Sequence, residues 1–532
     1  MGIVSPVFFV YTSLGSLIGV GGAALSSRRL GRDDHEGVSR LFSLSLALML
    51  VVGLLVTVGA LVFLEKLLDI LGAQGEIRSA ARDYCLYFIP GAITTMLLYI
   101  PLNFFRITGK PNIGVWMFGI MALGNICFSL VFLLVFDMGM GGIGLSAVLS
   151  NLAALLYSLH GFFKKDSYLR LVSFKSEIKT TGELLATGSP MALTNLFTVL
   201  RTLLYNRLLL SILGLGGLAV FTVLANVNTF ALSILLGVSQ TIIPLTGVFF
   251  GEKDYVSIRH VMGASLRWGL FLATAFGLAL AVFWKSICHI FGLYDESLFQ
   301  SAMFAIFMFA LSMPFAMVTN LYQFHFMTIG VLWFSNLISA CRCLILPLAA
   351  SLFLSKVSPL AVWAGIPAGE ALTVLLTLAV SYIYGKKRGL SRLLLLNEED
   401  EKNSRSIAFS VKNDTDSIIN ASEKISEFSA VNKIDEKRAM FISLALEELL
   451  LSISQNAFED HDEGYMDVRL LSGTDHVILR IRNGGREFDP ISFYESNPDN
   501  MEESLGIKMV AASARDIKYT RTLGVNNLSV LI

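Results

Sequence analysis

LLGVSQTIIPLTGVFFGEKD, Leu235 to Asp254, is preceded by a relaxed copy of itself, LIGVGGAALSSRRLGRDD, Leu17 to Asp34. Each copy is an apolar helical pattern with an early glycine (Gly19, Gly237) that exits through a second glycine (Gly31, Gly251) into a short charged turn ending in Asp. Two such segments about two hundred residues apart imply a chain built of two homologous lobes.

Composition sets the solvent of those lobes. Hydrophobic residues make up 54% of the 532 and charged residues only 15%, where a soluble domain carries about a quarter charged. The net charge of +0 hides an asymmetry, because acids outnumber bases after about Asn397 and bases dominate the loops before it. The five cysteines all lie in apolar segments, and Cys341 and Cys343, two apart on a helix, point away from each other as packing residues. Nucleic acid is not an expected partner; a lipid bilayer is.

Apolar runs long enough to cross about 30 Å of hydrocarbon fall near 6–26, 42–64, 84–105, 113–136, 142–163, 188–213, 217–250, 261–284, 299–324, 328–355 and 359–384. The run 217–250 exceeds one span and is expected to be tilted, broken or partly interfacial. With the first span running inward, one set of loops holds seventeen Lys and Arg, among them Arg28, Arg29, Arg32, Lys164, Lys165 and Lys253, and the opposite set holds five. The positive-inside bias then places the C-terminal region in the cytoplasm. Eleven spans is an odd number for two equal lobes, so the symmetry predicts a further helix before Met1.

The run from Val4 to Asp34, FFRITGKPNIGVWMFG from Phe104, GSPMALTNLFTVLRTLLYNRLLLSILG from Gly188, and the paired last helices GGIGLSAVLSNL from Gly141 and SPLAVWAGIPAGEAL from Ser358 together resemble the multidrug and toxic compound extrusion (MATE) family over roughly residues 1 to 390. The resemblance implies an α-helical polytopic membrane protein of two homologous lobes, 1–186 and 187–392, with twelve spans in the complete family fold and eleven here. It further implies a secondary carrier in a bacterial inner membrane that exports cationic or amphiphilic small molecules against H+ or Na+. Flippases of lipid-linked intermediates share this distributed pattern and form the alternative.

Ionisable residues deep in a bilayer are costly and face a cavity or a partner. Counting 1.5 Å per residue brings Arg201, Arg342 and Glu370 to similar depth, with Glu370 about 17 Å along its helix. They are the expected charge network of the second lobe, with Asn206, Asn226, Asn228 and Asn336 as polar neighbours. For the arginines a structural ion pair weighs more than substrate contact; Glu370 is evenly balanced between structure and cation binding.

After Arg392 the pattern changes. A charged linker, 393–404, precedes an α+β region, 405–532: a strand at SIAFSVKN, a helix capped by Asp414 or Asp416, a strong helix from Asp435, two alternating strands, a polar loop from Ser492 to Glu503, a helix and a closing hairpin, the helices lying on one face of a mixed sheet. This order resembles the GHKL (Bergerat-like) ATP-binding fold, closest to its anti-sigma-factor kinase branch. The resemblance puts a catalytic Glu at Glu448, a magnesium ligand at Ser452 where the family has Asn, with Asn456 one turn on, an adenine-reading residue at Asn483 where the family has Asp, and glycines at Gly485 and Gly506, with Ser504 replacing a further one. These replacements imply weak binding of ATP and magnesium and a degenerate regulatory domain, with a cytoplasmic protein as its partner. A membrane-anchored signalling protein is the remaining alternative.

Overall fold

The computed structural model describes residues 5–532 except 33, 72–73, 163–168, 398–404, 433, 459–463, 473–476, 497–500 and 523. The expected loop cations Lys164 and Lys165 and much of the 393–404 linker lie outside the described residues. The chain divides into two compact units, one of Met1–Arg388 with Arg392–Leu395, the other of Gly389–Ser391 with Leu396–Ile532.

The first unit is all helical. Its first lobe runs α1 (Ser5–Leu30), α2 (His35–Val62), α3 (Leu64–Ile70), α4 (Gly75–Gly91), α5 (Ile93–Leu97), α6 (Tyr99–Ile107), α7 (Pro111–Leu134) and α8 (Gly139–Phe162). The second runs α9 (Thr181–Ser239), α10 (Ile242–Gly251), α11 (Tyr255–Val282), α12 (Trp284–Ile290), α13 (Phe299–Thr328), α14 (Leu332–Ala340), a π-helical turn at Cys341–Ile345, α15 (Leu346–Leu354) and α16 (Gly365–Arg388). The lobe boundary expected at 186 falls inside α9, which continues from Thr181 through Gly188 and Pro190.

Among the described residues nine helices are long and apolar enough to cross a membrane, ten when the pair bent by 47° near Gly91 counts as one span. The difference from eleven has a local cause. Gly214, at φ 66° and ψ −155°, sits inside α9 in a conformation that L side chains avoid. The rings of Tyr205 and Phe221 stack at 5.7 Å across it, whereas 16 residues of straight helix would put them about 24 Å apart. The chain therefore doubles back at Gly214, and α9 holds two of the expected apolar runs, 188–213 and most of 217–250. The long second of these is broken at Gln240–Thr241, before α10. The chain is a multi-pass membrane protein.

The two copies of the opening motif meet. A Cβ on Gly31 would lie 2.0 Å from the Val248 carbonyl oxygen, and one on Gly251 would lie 2.2 Å from that of Arg28. Each exit glycine lets its own backbone cross the other copy. The closing aspartates are helix N-caps: Asp34 Oδ1 accepts the Gly37 N–H at 2.8 Å and Asp254 Oδ1 the Ser257 N–H at 3.2 Å. The early glycines differ, since a Cβ on Gly19 would strike Tyr99 at 2.7 Å and one on Gly237 would meet nothing within 4 Å. Along the same seam Gly188 and Gly21 admit the backbone of the facing helix, against Leu17 and Leu184. The seam ends in a bidentate pair in which Arg29 donates to both Glu177 oxygens at 2.8 and 2.7 Å.

The second unit is a five-stranded sheet, β1 (Arg405–Lys412), β2 (Tyr465–Ser472), β3 (Val477–Asn483), β4 (Asp516–Thr522) and β5 (Val525–Leu531), in the order β1-β2-β3-β5-β4. Every pairing is antiparallel, so the expected mixed sheet is corrected. Its helices are α17 (Thr415–Val431), α18 (Glu436–Ala457), α19 (Pro490–Ser496) and α20 (Met501–Ser513). Asp414, not Asp416, caps α17, taking the Ser417 N–H at 2.8 Å. Residues Ser492 to Ser496, expected as loop, close α19, where Asp489 accepts from the Ile491 N–H and the Ser492 hydroxyl. Buried Leu446, Leu449, Leu450 and Ile453 of α18 pack with Val468, Leu470, Leu479 and Ile481, the inward alternates of β2 and β3.

Candidate functional site

Glu370 lies in the first turns of α16 and is 6% exposed; Arg342, in the π-helical turn, is 5% exposed. Pro347 lacks the N–H that would bond the carbonyl of Cys343, and the loosened ladder just before it is where the π-turn forms. Arg342 Nε faces Glu370 Oε1 at 3.5 Å, long for a charge-assisted bond, while its Nη1 donates to Asn320 Oδ1 at 2.6 Å. The other carboxylate oxygen accepts the Thr319 hydroxyl at 3.0 Å. The guanidinium is thus held most closely by a neutral amide, and the carboxylate by one hydroxyl and one loose cation.

Two of the expected members, Arg342 and Glu370, come together. Arg201 is half-buried beside Tyr205 and makes no ion pair among the described residues; Asn206 is exposed. Both lie on the arm of α9 before Gly214, and neither joins the pair, because equal depth does not fix which way a side chain faces. Asn226 bonds its own helix at Thr222, and Asn336 pairs with Ser189. The actual polar neighbours, Thr319 and Asn320, were missed. Their signal is a Thr-Asn step in AMVTNL of the apolar α13.

A polar seam continues one turn away. Gln323 Nε2 donates to Thr194 Oγ1 at 2.9 Å and, at 3.5 Å, to the Pro190 carbonyl, which also accepts the Ser339 hydroxyl at 3.0 Å. Gln323 is 2% exposed and its Oε1 has no hydrogen-bond partner.

The first lobe carries a neutral counterpart. Asn151 of α8 donates to Thr95 Oγ1 at 2.9 Å, as Thr319 of α13 donates to Glu370 of α16. Aligning GIGLSAVLSN on AVWAGIPAGE places Asn151 at the position of Glu370.

In the second unit, Glu448 of α18 lies against Gly506 of α20, where a Cβ would come within 2.0 Å of Glu448 Oε2. Asn483 Oδ1 already accepts the Gly485 N–H at 3.1 Å and Asn526 Nδ2 at 2.8 Å. Tyr519, whose phenol burial pushes up to about 12, stays protonated and donates to Asn526 Oδ1 at 2.9 Å. Gly485 packs on the Ala457 carbonyl, 2.4 Å from where its Cβ would be. Ser452 is buried with its hydroxyl unpartnered, and Asn456 turns its amide back to the Ser452 carbonyl at 2.9 Å. The side chain of Ser504 lies outside the described residues. No three His, Cys, Asp or Glu side chains cluster as metal ligands among the described residues. An open groove of about 400 Å³ on this unit lies elsewhere, between β1 and α17, lined by Phe409, Asn420 and Lys424.

Comparison with known proteins agrees with the first unit. The chain is 28% identical over 249 residues to the multidrug export protein MepA of Staphylococcus aureus strain MRSA252, covering 46% of this chain and 54% of the relative, and 26% identical over 308 residues to MepA of strain NCTC 8325, covering 57% and 66%. It thus spans between half and two thirds of the length of these relatives. Its fold is similar to an outward-facing multidrug resistance MATE family transporter of the MOP superfamily (TM-score 0.67, 20% identity, 73% of this chain and 86% of the other). It is equally similar to a MOP superfamily transporter from Pyrococcus furiosus whose report describes a binding pocket of reverse polarity (TM-score 0.68, 22% identity, 73% and 86%). The MatE family model matches residues 1–131 and 190–351, more than half of the chain. The chain belongs to the MatE family.

Proposed function

We propose that the helical unit is a secondary exporter of amphiphilic or cationic small molecules, driven by exchange with H+ or Na+, and that Glu370 is the carboxylate through which the ion acts. The observation that carries this is a buried carboxylate held by one hydroxyl and one cation at 3.5 Å. A carboxylate locked in a bidentate bridge would resist a competing ion, and one with a loose partner exchanges. The similarity to multidrug export proteins supports the substrate class. Glu370→Gln keeps shape and removes charge, so ion-driven export of ethidium from cells or vesicles should be lost at near-normal protein levels. Retained pH- or sodium-dependent export would refute the assignment.

Half-buried Arg201, without an ion pair among the described residues, favours the second reading, a flippase of lipid-linked anionic intermediates. Arg201→Gln separates the two: it abolishes headgroup translocation in a flippase and spares ethidium export in a cation carrier.

The second unit we read as a cytoplasmic, GHKL-like regulatory domain that binds ATP weakly and transfers phosphate hardly at all. Asn483 spends its acceptor oxygen on Gly485 and Asn526, and Ser452 is too short and too buried to hold a metal as Asn would. Glu448 alone is a general base without a metal-polarised phosphate to act on. The double change Ser452→Asn with Asn483→Asp should strengthen magnesium-ATP binding in calorimetry, and tight binding by the unaltered chain with no gain would contradict this reading.

A further inference from the structure

We infer that Arg342 is an internal counter-cation with two resting places, one on Glu370 and Asn320 and one on Asn320 and Gln323, and that it changes place when a proton or cation takes Glu370. The inference rests on the reading of Glu370 as the ion-responsive carboxylate and adds a second residue with a defined part in it.

The geometry is asymmetric. Of the two contacts of the guanidinium, the one to Asn320 is 0.9 Å shorter than the one to Glu370 (2.6 against 3.5 Å). Asn320 is the pivot and Glu370 the looser end. Gln323 lies three residues beyond Asn320, on the same face of α13. It shares the Pro190 carbonyl with Ser339, which is three residues before Arg342. Gln323 is therefore rooted about one turn, roughly 5 Å along the α13 axis, from Asn320, and its Oε1 is the open end of its amide. It is an acceptor 98% buried and unpartnered, a state that costs free energy until a donor arrives. Its orientation is fixed, because Nε2 serves the Pro190 carbonyl and Thr194, whose own hydroxyl points at that same carbonyl at 2.8 Å.

The groups facing Glu370 from the elements packed against α16 are few. From α13 come Thr319 and Asn320; His325 on that helix is turned to the Leu394 carbonyl at 2.9 Å, and Tyr322 lies against the Phe326 ring, tilted by 40°. The π-turn brings Arg342 between Cys341 and Cys343, and neither α15 nor the turn Pro359–Ala364 carries an ionisable side chain. Arg342 is thus, among the described residues, the cation paired with Glu370. When a proton from water adds to a Glu370 oxygen, the ion pair is lost and the guanidinium is left as an uncompensated buried charge. Gln323 Oε1 offers the released N–H an acceptor, and the π-turn, with its wider i to i+5 ladder, carries the side chain that shifts.

The test is an infrared pH titration of the purified full-length chain, following the protonated-carboxyl band identified by its loss in Glu370→Gln. Arg342→Gln should raise the midpoint of that band by about one to three pH units, the usual effect of removing an adjacent opposite charge. Arg342→Lys, which keeps the charge, should leave it within about half a unit. Gln323→Leu retains the Glu370–Arg342 pair but removes the second resting place, so it should lower the midpoint. A midpoint unmoved in Arg342→Gln, moved equally by Arg342→Lys, or unmoved in Gln323→Leu overturns the inference, as does the absence of any titrating Glu370 band in Arg342→Gln. Failure of the coupling reading is seen separately: Glu370→Gln would keep ion-dependent ethidium export while the midpoints still shift as stated.

Discussion

The two lobes solve one packing problem with different chemistry. In each, the last long helix is tied to a buried threonine, Asn151 of α8 to Thr95 of α5 in the first lobe and Glu370 of α16 to Thr319 of α13 in the second. Only the second adds a guanidinium, Arg342, and an amide, Asn320, to hold it. A neutral side chain suffices for helix packing, so a buried charge at the matching position is not needed for the fold. Replacing a buried ion pair by apolar residues is often neutral or stabilising, and the second lobe keeps the pair nonetheless. The difference is one of charge: the second lobe buries an ion pair where the first buries a neutral amide.

The largest effect expected from breaking this arrangement lies where the lobes touch. Gly31→Val puts a side chain within 2.0 Å of the Val248 carbonyl, a backbone atom that cannot swing aside, and should cost about 1–3 kcal/mol or more, read as a lowered melting temperature in detergent. Gly237→Val, at the early glycine of the other copy, meets open space and should leave melting almost unchanged; equal losses would mean that the copies do not differ as described.

Capping comes next in size. Asp254→Ala removes the acceptor for both the Ser257 N–H and its hydroxyl and should cost about 1 kcal/mol, visible as earlier exchange or proteolysis at the start of α11. Smaller again is Asn151→Leu, which deletes a single neutral hydrogen bond worth about 0.5–1.5 kcal/mol. It should lower thermal stability slightly and leave the ion dependence of export as it was.

Much of the architecture was legible in the sequence because hydropathy and glycine placement act locally. The apolar runs mark the spans, the repeated glycine exits mark the crossing of the lobes, and Asp34 and Asp254 sit where an N-cap belongs. The hairpin at Gly214 was legible as a gap between two runs, though continuous helix-type hydrogen bonding on both sides conceals it. The site was only half legible. Depth along a helix follows from counting residues, so Arg342 and Glu370 were found; azimuth does not, so Arg201 and Asn206 were grouped with them. Thr319 and Asn320 carry no charge and drew no notice, yet they decide how loosely the pair is held. In the second unit strand alternation gave the strands, while their antiparallel order depends on which β-edges meet and is not written in any one segment. That Asn483 is engaged by Asn526, 43 residues away, likewise needed the fold.

The central claim, that ion response resides in the second lobe, is tested most directly by matched substitutions at the two equivalent positions. Export of ethidium from vesicles would be measured across a series of imposed pH and sodium gradients for the parent chain, Glu370→Gln and Asn151→Leu. The account predicts that Glu370→Gln loses gradient-driven export and Asn151→Leu keeps it with an unchanged dependence. Gradient-driven export that survives Glu370→Gln, or that disappears in Asn151→Leu at normal protein levels, would contradict it.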